Sequence, residues 1–167
     1  WFTASAVIDF PTPLPVSVLF KGLEEREING NKVNALNPSY HLLAMVTHHG
    51  LNQRWSVMKY IVDLAMILKN GSGLQPSEII NISKTYGFNN ALNIGLYISS
   101  HLLGINNESI YTTPVHGRKY LEDLLSSSIK MRKKPSEVLW LNLKIKDDLP
   151  ARMAFMYQRH ARVFGFT

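Results

Sequence analysis

The side chains able to do chemistry in this chain gather in one short stretch. His48 and His49 are adjacent, and Lys59 and Asp63 follow on a segment whose apolar residues recur at helical spacing. If these are two consecutive antiparallel helices, the end of the first faces the start of the second. One histidine then approaches Trp55 or Lys59, with Asp63 one to two turns further along. An imidazole oriented by a carboxylate is an arrangement suited to proton transfer. The same residues also make a purely structural set: a core histidine with a satisfied ring nitrogen, and a Lys59–Asp63 pair at i,i+4. With neither a nucleophile nor a metal beside it, the couple supports no catalytic assignment. His41, Met45 and His48 share one helical face, but no third strong ligand accompanies them. That set reads as helix core or interface, and no metal site is expected.

What is missing narrows the chemistry further. The five aspartates are Asp9, Asp63, Asp123, Asp147 and Asp148, so no Asp-x-Asp pair occurs. His-Glu-x-x-His, Gly-x-Ser-x-Gly, P-loop and Gly-x-Gly-x-x-Gly patterns are also absent. Metal-assisted phosphoryl or nucleotidyl transfer needs clustered carboxylates to hold divalent ions, and none stand at useful spacing. Without cysteine there is neither a disulfide framework nor a thiolate zinc site.

A second candidate lies at the C-terminal end. Arg152, Arg159 and Arg162, with Phe155 among them, line one side of a segment whose other side carries Met153, Met156, Tyr157, His160, Ala161 and Phe164. Guanidinium groups there could grip the phosphates of a nucleotide or another polyanion, and Phe155 could stack on a base. A solvated basic face is the simpler reading of the same residues. The net charge of +6 comes entirely from this end: residues 1–115 hold seven basic and seven acidic side chains, and residues 116–167 hold eleven and five.

The elements that must position these residues are helical. Arg54–Lys69 is apolar almost all round, with Ser56, Lys59, Asp63 and Asn70 in a single narrow band, which predicts a central helix walled in by others. Before it, Asn37-Pro38 opens a helix that runs to His49 and stops at Gly50. After it, helices are predicted over 76–86, 90–103, 118–133, 136–146 and 150–164, with proline or glycine at most boundaries. Val16–Glu25 reads as a short helix. Asn29-Gly30 within Glu27–Val33 predicts a small hairpin. The fold class is therefore all-α, a bundle of about seven to eight helices with a small N-terminal β-hairpin. One domain is expected over residues 1–167, mixed or extended over 1–36 and helical over 37–167.

With 46% hydrophobic and 18% charged residues the chain can bury a sizeable core. No run approaches the roughly eighteen apolar residues of a membrane helix, and no signal peptide is visible. A cytoplasmic setting with no membrane partner is the expectation. A start at Trp1, without an initiator Met, suggests a piece of a longer protein.

Residues 28–70 carry a recognisable order. Asn29-Gly30 lies between short strands, Leu36-Asn37-Pro38 opens a helix, and His41-Leu42-Leu43 and His48-His49-Gly50 follow. Then come Trp55 and the block Lys59-Tyr60-Ile61-Val62-Asp63-Leu64-Ala65. This resembles the C-terminal half of a family of uncharacterised bacterial nucleotidyltransferases in the polymerase-β-like superfamily. The matching residues span about a quarter of the chain. The resemblance implies an N-terminal catalytic palm on the same polypeptide, with magnesium and a nucleoside triphosphate bound there, and a helical portion that supports it. It makes His48, His49, Trp55, Lys59 and Asp63 motif positions without a catalytic role, and it implies no cofactor held by this chain itself. The reading from another class is a non-catalytic helical interaction module that binds an acidic partner or nucleic acid through its basic C-terminal face.

Overall fold

The computed structural model describes residues 14–105, 110, 117–129, 143–147, 149, 152, 153 and 156. Pro15, in extended conformation, precedes a single helical turn, α1 (Val16–Leu19), and a 3-10 turn over Phe20–Gly22. The helix expected through Glu25 ends here. Gly22 passes against the ring of Tyr40, where a Cβ would lie 2.0 Å from Cγ, and its carbonyl accepts the Asn37 N–H at 2.8 Å. The chain is thereby turned into β1 (Leu23–Ile28), which pairs antiparallel with β2 (Asn31–Leu36) in a register running from Leu23↔Leu36 to Ile28↔Asn31. Asn29 and Gly30, at φ of 51° and 77°, form the left-handed turn that Asn-Gly favours. The hairpin is longer than the sequence predicts and mostly exposed.

Asn37 caps α2 (Pro38–Met45), its side chain accepting the Tyr40 N–H at 3.1 Å, with Pro38 at the first helical position. Gly50 does not end this helix. The backbone instead widens into a π-helical segment over Val46–Asn52, which contains both His48 and His49. After a reversal at 53–57 come α3 (Met58–Asn70), α4 (Pro76–Thr85), α5 (Asn89–Leu103) and α6 (Gly117–Ile129), with a further helical turn at 143–145. Among the described residues the chain is mostly helical, with one two-stranded sheet. No helix among them is long and apolar enough to cross a membrane.

The centre of the bundle is α5, not the segment around Lys59. Ala91–Leu96, Ile98 and Ser99 are all buried, and α5 packs on the π-helical segment, α3, α4 and α6. α3 buries only Ile61, Leu64, Ala65 and Leu68. Its opposite side leaves Met58, Val62 and Met66 at 56%, 41% and 52% exposure. Apolar composition all round a helix thus did not mean burial all round.

α5 receives an anchor from the C-terminal part of the chain. The Asp147 carboxylate accepts the N–H groups of Asn89 and Asn90, at 2.7 and 2.5 Å, where the helix begins. Those donors have no partner within the helix, and a negative charge at that end also interacts favourably with the helix dipole. Asn90 donates from its side chain to the Lys144 carbonyl, and Lys144 pairs with Asp123 on α6. Lys146 beside them is buried enough that its ammonium is held below the usual lysine range, with Asp147 opposing that shift.

Close packing on α5 requires Gly95. A Cβ there would lie 2.5 Å from Trp55 Cζ2 and 3.0 Å from a Leu64 methyl. Overpacking of this kind costs about 1–3 kcal/mol, so Gly95→Ala is expected to lower the urea midpoint by that equivalent. An unchanged midpoint would mean the indole is not wedged against α5.

Candidate functional site

Trp55 sits in the reversal that precedes α3. Arg54 and Trp55 both adopt left-handed backbone, at φ of 56° and 52°, a conformation costly for residues with large side chains. Three hydrogen bonds hold it. The Trp55 N–H donates to the His49 carbonyl at 2.9 Å, Trp55 Nε1 donates to the Ala91 carbonyl at 3.0 Å, and the Tyr120 hydroxyl donates to the Arg54 carbonyl at 2.8 Å. The indole is 1% exposed and lies between Gly50 and Gly95. Tyr120 is fully buried, and that burial pushes its phenol well above its ordinary range. Trp55 is therefore an internal brace, not a surface for ligands.

The π-helical segment brings the histidines to α3. The His49 ring stacks on Tyr60 with centroids 3.9 Å apart and planes 9° apart, and His48 meets His49 edge-on at 5.0 Å. His49 is half-buried and His48 exposed. His49 Nδ1 is buried without a hydrogen-bond partner among the described residues. Desolvation, then the neighbouring His48, push its imidazole down to about 4, with Asp63 opposing and Lys59 assisting. A neutral ring is the form that stacks against a phenol without desolvating a charge.

Lys59 Nζ reaches Asp63 Oδ2 at 2.7 Å across the i,i+4 spacing, and Asp63 retains 33% of its side-chain exposure. The hydrogen bond and charge of Asp63 raise the Lys59 ammonium above its usual range. Asp63 is thus half-buried and held by Lys59, as the polar seam predicts. It makes no hydrogen bond to His49, so among the described residues no carboxylate orients that imidazole. The structure brings His48, His49, Lys59 and Asp63 into one neighbourhood and sends Trp55 inward. Tyr60, the ring that organises the histidines, escaped sequence reasoning. Its place one residue after Lys59, on the segment that follows the adjacent histidines, was the available signal.

His41 is exposed and Met45 buried, so the face expected to join them with His48 is broken up by the π-helical turns. Of the three C-terminal arginines, Arg152 is described, and its guanidinium donates to the Lys146 carbonyl at 3.4 Å. Arg159 and Arg162 lie outside the described residues, as does Phe155. Among the described residues no three His, Asp or Glu side chains gather where a metal ion could be held. Comparison with protein-family models, curated proteins and solved structures found no match for this chain.

The neutral His49 has a consequence for stability. Between pH 6.5 and about 4 the unfolded chain binds a proton at this position that the folded chain does not, so stability falls as pH drops through that window. Allowing for solvent screening of a half-exposed ring, the loss is about 1–2 kcal/mol. His49→Phe keeps the stack and removes the proton. It is expected to flatten that segment of the stability–pH curve measured by urea unfolding, and an unchanged slope would assign the dependence to other groups.

Proposed function

We propose that this chain is the helical C-terminal portion of a nucleotidyltransferase-like protein, where it supports a catalytic palm carried elsewhere on the same polypeptide. The observation that carries the reading is the division of α3 and the reversal before it into an inner and an outer side. Trp55, Ile61, Leu64 and Ala65 build the bundle from inside. Met58, Val62 and Met66 form an exposed apolar ridge beside the Lys59–Asp63 pair. Apolar centres with a charged border are the usual composition of a domain or protein interface, and a supporting domain needs such a face.

The carboxylates nearest the bundle core already have work in the fold. Asp147 holds the start of α5, Asp63 takes Lys59, and Asp123 takes Lys144. Among the described residues no three His, Asp or Glu side chains gather to hold a magnesium ion. In this reading magnesium and the nucleoside triphosphate belong with the palm.

Two measurements test this. The coding sequence upstream of Trp1 is expected to contain a Gly-Ser turn and an Asp-x-Asp strand, and an unrelated upstream region would remove the reading. In the full-length protein, Val62→Lys combined with Met66→Lys is expected to lower nucleotide transfer by about tenfold or more and to speed proteolysis between the two portions. The 167-residue chain carrying the same changes keeps its melting temperature within a few degrees, because exposed substitutions of this type cost little.

A further inference from the structure

On the side of the bundle formed by α1, the 3-10 turn, α2 and α4 lies a cleft of about 280 Å³. That space equals roughly nine liquid-water volumes, enough for one small organic molecule. Its walls carry opposite charges. Lys21 stands on the 3-10 turn and Glu78 in the first turn of α4, and they make no ion pair with each other. Val18, Ile82 and Tyr86 supply apolar wall between them.

The floor of the cleft is rigid. Tyr40 is 6% exposed and its ring is pressed against the backbone of Gly22. Its hydroxyl donates to Glu78 Oε1 at 2.9 Å, and burial together with that carboxylate raises the phenol above its ordinary range. Glu78 is therefore oriented through one oxygen, and the other makes no hydrogen bond among the described residues. Lys21 likewise has no acidic partner among the described residues.

We propose that this cleft binds a small zwitterion of the α-amino acid class with an apolar side chain. The ligand's ammonium meets the open oxygen of Glu78, its carboxylate meets Lys21, and its side chain lies on Val18, Ile82 and Tyr86. A ligand with one charge leaves the other wall unneutralised, which is what discriminates among ligands of similar size. The cleft is open to solvent, so the affinity is modest, with a Kd on the order of a millimolar. The elements involved are distinct from α3, and the proposal stands whatever the chain is joined to.

The test is a titration of the isotopically labelled 167-residue chain with L-leucine, followed by backbone amide shifts. Saturable shifts are expected around Lys21, Glu78 and Ile82. Glu78→Gln keeps an acceptor for Tyr40, and both it and Lys21→Met are expected to raise the Kd by about tenfold or more. Isopentylamine and 4-methylpentanoate, each lacking one of the two charges, are expected to bind more weakly by a similar factor. The proposal is overturned if a well-dispersed spectrum shows no saturable shift with leucine, if the shifts map elsewhere, or if either singly charged analogue binds as well as leucine.

Discussion

The bundle depends on one wedge. Trp55 enters between Gly50 and Gly95 and reaches the carbonyl of Ala91 on the central helix. A helical carbonyl can take a second donor from the side only where no side chain blocks the approach, and Gly95, one turn later on α5, leaves that approach open. The wedge also holds the left-handed backbone at Arg54 and Trp55, which would otherwise relax. Three elements meet there: the π-helical segment gives its His49 carbonyl, α5 gives Ala91, and α6 gives the Tyr120 hydroxyl. The direction in which α3 leaves the reversal, and hence the face it shows to solvent, follows from this junction.

The functional candidates are consequences of the same geometry. The π-helical turns that bring Gly50 under the indole also bring His49 flat against Tyr60. Once that ring is half-buried and stacked it stays neutral, and the residue best suited by type to proton transfer becomes a packing element. Polar side chains elsewhere follow a similar course. Asp147 is spent on two backbone donors of α5, and Ser39 on α2 accepts the Gln75 N–H at 2.8 Å, tying the link before α4 to α2. The Lys21–Glu78 cleft differs, because its two charged side chains line open space and are not paired with each other.

Much of the outline could be read from residue order. Asn37-Pro38 marked the start of α2, Asn29-Gly30 marked the hairpin turn, and Pro76 marked the start of α4, because each of these signals acts through its own backbone or near neighbours. The Lys59–Asp63 pair was legible for the same reason, since i,i+4 side chains meet on any helix. The π-helical segment was not legible. Gly50 looks like a helix stop, and only the indole lying over it explains why the helical backbone continues.

What the sequence by itself determined is therefore local: a mostly helical chain with one hairpin, its caps and turns, and a helix bearing Lys59 and Asp63 on a common polar band. The tertiary structure alone decided which helix is central and which apolar side of α3 is covered. It also decided that Trp55 points inward and that His49 stacks on Tyr60. Those outcomes depend on residues far apart in the chain, such as Trp55 with Ala91 and Gly95, or Asn89 with Asp147. Hydrophobic periodicity says that a face can be buried. Burial itself requires a partner surface of matching shape, and no single helix carries that information.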